Sequence, residues 1–417
     1  MNESLPNIIY IICHDLGRYL GCYGRGPIAT PNLDRMAGEG VLFTNHFCTA
    51  SSCSPSRGSV ITGRYPQCNG LMGLVNRAWE LPLSEKTTPQ YLNEAGYETY
   101  LFGLQHERKD RDALGYDHTT DLNDVGLGCR KVSESLVRFI EANSRIPFYA
   151  SVGFHEPHRP FGAANIEDHG EVYLPPYLPD NLIVRREMAG FARLVERVDR
   201  AVGAIIDALE GAGLSQSTLL VFTTDHGIDM PRAKGTLYDP GIETALIMRW
   251  PGTIEAGTRS NVLLSNVDHL PTLLDVAGLE TPDAVQGRSF WPLVRGTGYS
   301  PRSEIFAEKT QHSTYDPIRC IRTETHKYIH NFGEGRRMEI PADAEMNTVA
   351  AVGHMYPLRR PMTELYDLAD DPSEMNNLSG TPQCSEIQDD LHRRLWRWME
   401  QTDDPLLKGI LPIPRFF

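Results

Sequence analysis

The chain predicts an α/β fold: a mainly parallel central sheet flanked by helices, with a smaller C-terminal α+β subdomain. Three observations carry that reading. Short apolar, β-rich runs alternate with segments of 3.6-residue periodicity, the pattern of strand–helix–strand units. Polar clusters repeatedly follow the carboxyl ends of the apolar runs, where open α/β sheets place ligands. From about Arg302 the alternation gives way to short strands followed by a helix.

Taken in order, Asn7–Cys13 is a continuous apolar run ending at His14-Asp15, as expected of a strand buried on both faces. Thr30 caps a helix with Pro31 at its first position. Val41–Phe47 reads as a short strand. Ser54-Pro55 opens a helix that runs to about Thr62 and stops at Gly63. Thr88–Ala95 is a helix ended by Gly96, and Tyr97–Phe102 a strand closed by Gly103. Val132–Asn143 is an amphipathic helix, and Phe148–Phe154 a strand ending at His155-Glu-Pro-His158. Arg185–Leu214 carries a long helical stripe of Leu194, Val198, Val202, Ile205, Ile206 and Leu209. Leu219–Phe222 is a strand leading to Asp225-His226-Gly227, Thr244–Trp250 another, and Asp268 starts a helix. Ile305–Ala307, Ile318–Arg322 and Tyr328–Asn331 are short strands, and Ser385–Glu400 a helix rich in Arg and Trp. The expected division is a domain over residues 1–300 and a subdomain over 301–417.

The 417 residues suffice for one large domain and a smaller one, and a hydrophobic fraction of 41% suits an ordinary globular protein. A net charge of -14 argues against nucleic acid as a partner. It leaves anionic substrates open, because a local group of Arg, Lys and metal binds an anion inside an acidic protein. No apolar run approaches the ~20 residues that span a bilayer, so no membrane association is expected. The N-terminus lacks a basic region followed by an apolar stretch and a small-residue cleavage site. As written the chain reads as cytoplasmic, or as periplasmic or secreted if a leader has been removed. The eight cysteines, Cys13, Cys22, Cys48, Cys53, Cys68, Cys129, Cys320 and Cys384, form no CxxC pair. All but Cys53 read as buried free thiols. The oligomeric state is open and includes a homo-oligomer.

Chemistry concentrates at Cys53-Ser54-Pro55-Ser56-Arg57, followed by Thr62-Gly63. This run resembles the signature of the formylglycine-dependent sulfatases, of alkaline phosphatase-like fold, in which the cysteine is oxidised to formylglycine. Its hydrated aldehyde offers one hydroxyl to attack sulfur and a second to expel sulfate. The likeness continues through Asp15, Thr30-Pro-Asn-Leu-Asp, Gly96-Tyr-x-Thr, Phe154-His-x-Pro-His158, Asp225-His226-Gly227, Lys234, and Glu364-Leu-Tyr-Asp-Leu with Asp371-Pro372. Within that family, Ser51–Arg57, Asn69-Gly70, Phe154–Arg159 and Trp398–Pro405 are most similar to the N-sulfoglucosamine sulfohydrolase (heparan N-sulfatase) type.

The resemblance implies roles. Cys53 is the nucleophile precursor, placed where a helix N-terminus favours anions. Arg57 reaches back toward it and binds the aldehyde hydrate or a sulfate oxygen. Asp15, Asp225 and His226 are metal ligands, with His14 an open candidate. Lys234 and His158 contact sulfate, His155 is a weaker substrate contact, and His106 acts on the formylglycine hydroxyl. Gln67–Asn76 and the region of Gln311-His312 lie where the family contacts the sugar, and Trp79 and Trp250 are candidate stacking platforms. A formylglycine-generating maturation enzyme is an implied partner.

Two departures bear on this. His14 stands where many sulfatases have a first Asp, and Leu104 replaces the lysine of a Gly-Lys-x-His element; Arg108 or Lys109 is a candidate substitute. The family implies calcium, which prefers oxygen ligands, whereas His14 and His226 suit manganese or zinc. The expected activity is hydrolysis of a sulfate ester or sulfamate on a sugar, an N- or O-sulfated glucosamine from heparin-like glycans. The alternatives are a phosphonate monoester or phosphodiester hydrolase on the same scaffold, and a non-catalytic binder of sulfated glycans.

Overall fold

The computed structural model describes residues 5–120, 128–142, 147–162, 171–333 and 359–409, with single positions 348, 351, 352, 411 and 414. Strand β1 (Asn7–Cys13) lies at the centre of an eight-stranded sheet. Its residues divide by parity. Ile9, Ile11 and Cys13 enter one apolar cluster, and Ile8, Tyr10 and Ile12 enter another. A strand buried on both faces needs apolar residues at every position, which is why the run is continuous rather than alternating.

In chain order the further strands are β2 (Val41–Phe43), β3 (His46–Phe47), β4 (Glu98–Gly103), β5 (His118–Thr119), β6 (Phe148–Gly153), β7 (Thr218–Thr224), β8 (Leu246–Arg249), β9 (Thr258–Ser260) and β10 (Leu264–Ser265). The large sheet runs β5-β4-β6-β1-β7-β8-β2-β9. The pairs from β5 through β7 are parallel; β8 is antiparallel to both β7 and β2. The expected strand over Val41–Phe47 is two strands. The chain turns at Thr44 and Asn45, which bond to Ser260 O and Leu264 N, and β3 leaves the large sheet to pair with β10.

Helices α1 (Pro31–Gly38), α4 (Cys129–Ala142) and α5 (Leu182–Gly211) supply apolar side chains to one face. Helices α3 (Thr88–Glu94) and α6 (His269–Val276) supply the other, while α2 (Cys53–Thr62) enters at the sheet's carboxyl edge. Asn143, expected to end α4, lies outside the described residues. Helix α5 starts three residues earlier than its periodicity suggests, because the Asn181 side chain accepts from Ile183 N and Val184 N.

The C-terminal subdomain is an antiparallel sheet of β11 (Glu304–Gln311), β12 (Tyr315–Thr323), β13 (His326–Asn331) and β14 (Thr363–Asp367). Helix α7 (Ser385–Gln401) lays Leu391, Leu395 and Met399 against Ile321, Tyr328 and Leu365. Ile305, Ala307, Ile318 and Ile329 share a cluster with Phe47, Leu237 and Ile242 of the first domain, so the two parts bury a common apolar seam. The eight cysteines are unpaired. No described helix is long and apolar enough to cross a membrane.

Candidate active site

The order β4-β6-β1-β7 brings four strand ends side by side. His106 follows β4, His155 and His158 follow β6, His14 and Asp15 follow β1, and Asp225 and His226 follow β7. The pieces interlock through the backbone. Asp225 N donates to Cys13 O at 3.2 Å, and Asp15 N donates to the Asp225 carboxylate at 3.0 Å. Asp15 sits at φ 50, a left-handed conformation that costs a non-glycine residue and that concentrates at functional sites. Gly227 must lack a side chain, since a Cβ there would lie 1.7 Å from Pro240 O.

Helix α2 presents Cys53 as its first residue, with Gly63 in the left-handed region closing the far end. Cys53 Sγ lies 3.3 Å from His226 Nε2 and 3.7 Å from His14 Nδ1. Arg57, one turn along, donates from Nε to Asp225 Oδ2 at 3.0 Å. Its buried Nη2 has no hydrogen-bond partner. Arg57 thus engages the Asp225 carboxylate through Nε and keeps Nη2 unbonded within the same buried cluster. Ser56 donates to the Asp225 carbonyl and receives Asn266 Nδ2 at 2.9 Å, which fixes α2 against the β7 loop.

His14, Asp15, Cys53, Asp225 and His226 each bring a ligand atom to within 4.8 Å of the others, all buried. His226 Nδ1 lies 2.9 Å from Gly227 O, and a carbonyl only accepts, so Nδ1 carries the proton. The Nε2 lone pair then faces Asp15 Oδ1 at 3.1 Å. Two acceptors held this close call for a cation between them. His14 Nδ1 is 2.9 Å from the same Asp15 oxygen and 3.4 Å from Asp225 Oδ2, while Nε2 is 3.3 Å from His106 Nδ1. Burial lowers the His14 pKa to about 4 against the pull of both carboxylates, so its ring is neutral at pH 7, as a ligand must be. Burial would raise Asp15, but Lys234, His14 and His226 hold it well below the usual carboxylate range. Asp225 is lowered in the same way by His14, His226 and Arg57. The donor set fits a divalent cation.

Burial pushes the Cys53 thiol well above its ordinary range despite Lys234. A plain cysteine here stays protonated and is a weak nucleophile. Lys234 Nζ bridges Asp15 Oδ2 at 2.8 Å and Asp229 Oδ2 at 2.9 Å. His158 Nε2 lies 3.8 Å from Asp15 Oδ2.

Above Cys53 opens a cavity of about 410 Å³ lined by residues that include Ser54, Asn76, Arg77, His106, Lys109, His158, Lys234 and His312. Several expectations fail there. His155 is not among the lining residues; its ring centre lies 4.9 Å from that of His158. Trp79 is buried and donates to Gln311 Oε1 at 2.8 Å, so neither offers a free face to a sugar. Trp250 stacks on Trp291 and bonds to Gln216 O, away from these residues. Arg108 cannot replace the lost lysine, because its guanidinium is spent on the carbonyls of Leu81, Pro82 and Ala113. Gln67 is buried against Thr402 rather than facing the cavity. Sequence reasoning missed Asp229, which joins Asp15 and His158 in a second group of ligand atoms. Its only signal is its place four residues after Asp225 and five before Lys234.

Comparison with known proteins agrees with this geometry. The sulfatase family model matches residues 6–279, and the model for the N-sulphoglucosamine sulphohydrolase C-terminal region matches residues 232–349. An ulvan-active sulfatase of Formosa agariphila is 28% identical over 421 residues, covering 98% of this chain and 83% of its own. Human N-sulphoglucosamine sulphohydrolase is 27% identical over 460 residues, covering 96% and 91%. A protein solved in complex with its substrate D-glucosamine-2-N,6-O-disulfate superposes with a TM-score of 0.76 at 22% identity, covering 96% and 99%, a likeness of fold. With its signature cysteine, strand-end carboxylates and lysine gathered around one buried point, the chain belongs to the sulfatase family and is a sulfuric ester hydrolase.

Proposed function

We propose that this chain removes sulfate from a sugar, as ester or sulfamate, with an N- or O-sulfated glucosamine of heparin-like glycans as substrate. One observation carries the reading: Cys53 Sγ shares a sphere of 4.8 Å with two carboxylates and two imidazoles, at the floor of a cavity open to Lys234, His158 and His106. The cavity volume lies in the usual range of small-ligand sites, roughly 300–1,000 Å³. The likeness to N-sulphoglucosamine sulphohydrolase favours glucosamine among sulfated sugars.

Cys53 would be matured to formylglycine by a generating enzyme. Asp15, Asp225, His226 and His14 would hold a divalent cation. Bound there, it would polarise sulfate and favour the deprotonated nucleophile. With two imidazoles in the set, manganese or zinc suits the site better than calcium.

The protein's own groups divide the remaining work. Arg57 holds Asp225 in place from below. Lys234, anchored by Asp15 and Asp229, directs its ammonium at the sulfate oxygens. His158 supplies a second contact to sulfate. His106 is kept neutral by burial, so it is able to take a proton from the nucleophile side.

The test uses protein co-produced with a maturation enzyme. Peptide mass spectrometry should find aldehyde at residue 53, and ion chromatography should detect sulfate released from glucosamine N-sulfate or 6-O-sulfate. Cys53→Ala should lose roughly 10⁴-fold or more in turnover. Full activity with unmodified Cys53 would defeat the reading. Faster turnover of an aryl phosphonate than of any sulfated sugar would reassign the site to phosphorus.

A further inference from the structure

We propose that the cavity contains a second anion subsite, formed by Arg77 and Lys109, that takes a negative charge on the substrate other than the sulfate being removed. The inference deepens the sulfated-sugar reading and rests on it. It starts from charge. Among the residues lining the cavity, Arg77, Arg108, Lys109 and Lys234 are cationic and none is Asp or Glu. That is the reverse of a chain with net charge -14. Clefts lined by one sign concentrate ligands of the other.

Two of these cations are already committed. Lys234 is held between Asp15 and Asp229 at the floor. Arg108 donates to backbone carbonyls and serves as a brace. Arg77 and Lys109 remain, and neither side chain makes an ion pair with a described residue. Glu80, exposed and not among the lining residues, accepts from the Lys109 backbone amide at 3.0 Å and so fixes the main chain at Lys109, which itself lines the cavity.

Both residues stand on fixed supports. Arg77 ends a short 3₁₀ turn, Val75–Arg77, whose first amide donates to Ser54 Oγ at 3.1 Å. The turn is thus tied to the residue next to Cys53. Ala78 follows at φ 65, and the chain then drops into the buried Trp79. Lys109 follows Arg108, whose guanidinium grips Leu81 and Pro82, while Leu81 N donates to Glu107 O at 3.0 Å. Segments 74–82 and 105–109 are laced together and offer one cation each to the same space. A preorganised pair of this kind suits a sulfate or carboxylate. Its source is a second sulfate on the same sugar or a uronate on the adjoining one.

Titration calorimetry on the full chain carrying Cys53→Ala tests this without turnover. The ligands are glucosamine N-sulfate, glucosamine N,6-O-disulfate and a hexuronyl–glucosamine N-sulfate disaccharide. One of the two dianions should bind about tenfold tighter than the monoanion, the worth of one charge-assisted contact. Which one does so identifies the source of the second charge. Arg77→Gln with Lys109→Gln on the same background should equalise all three, with an unchanged unfolding midpoint. If that double variant is unstable, the exposed Lys109→Gln alone should narrow the gap at least threefold. Equal affinities in the parent protein, or a preference that survives the substitutions, would overturn the subsite. Failure of the sulfatase reading shows differently: aldehyde-bearing protein would bind these sugars and release no sulfate.

Discussion

At the carboxyl ends of the parallel strands, His226 Nε2 and Asp15 Oδ1 turn acceptor atoms toward each other, with His14 and Asp225 packed against them. In the C-terminal subdomain the buried charges close on themselves. Arg319 reaches Asp404 at 2.6 Å and Glu308 at 3.0 Å, Lys309 and Arg360 share Asp316, and Lys327 lies between Asp239 and Glu374. Both sets are removed from water. In the second each named charge has an opposite charge within 3.0 Å, although Glu308 Oε1 and Arg360 Nε keep no hydrogen-bond partner. The first, beside its ion pairs, also turns His226 Nε2 on Asp15 Oδ1. Buried charge needs a partner wherever it occurs. A network that supplies its own partners holds structure. One that leaves acceptors facing each other is organised around a cation from outside.

The contrast can be broken from either side. The largest effect is expected from Arg319→Met, which strands Glu308 and Asp404 without a cation. Unfolding free energy should fall by about 3–5 kcal/mol in a denaturant titration, with turnover per folded molecule unchanged. Asp225→Asn should act in the opposite sense. Metal content by mass spectrometry should drop toward zero and kcat/KM by roughly 10²–10³-fold, with a smaller change in stability.

A third test uses pH. Burial raises Glu308 from 4.5 to about 7, outweighing Arg319. The folded state then holds this proton more tightly than the unfolded chain. The associated stability is complete below about pH 4.5 and is lost as pH rises through 7, about 3 kcal/mol in all. Glu374, also raised to about 7 by burial, adds a loss of the same sign. Denaturant midpoints between pH 5 and pH 8 should show the slope, and Glu308→Gln should flatten its share. The smallest effect tests the scaffold. Asn181→Ala removes the cap of α5 and should cost about 1 kcal/mol with no change in metal content.

Much of the site was legible before any coordinates. Cys53, Asp15, Asp225 and His226 gather at one point with Lys234 on Asp15. The two carboxylates and the imidazole could be placed because each follows an apolar strand, whereas Cys53 and Lys234 were read from the resemblance to the sulfatase signature. Asp229 was not legible, since a carboxylate in a loop looks like any other until Lys234 Nζ is seen between it and Asp15. Trp79 and Arg108 were misjudged for a related reason. A large polar-tipped side chain near a motif has the composition of a binding residue, and only packing shows that its polar atoms are already used.

The local code of this chain is covalent and short-range. Strand periodicity, a helix opening near Ser54-Pro55 and its stop at Gly63 follow from backbone sterics acting over a few residues, and the amino-acid order alone determined them. The cap at Asn181 and the need for glycine at 227, set by Pro240 O, emerged only in the fold. Which acceptors face each other, which arginines remain unengaged and which carboxylates are neutralised depend on strand order. Residues 14, 106, 158 and 226 become neighbours only because β4, β6, β1 and β7 lie side by side. Electrostatic energy scales with distance through space rather than along the chain, so the chemistry of the pocket was decided by tertiary structure.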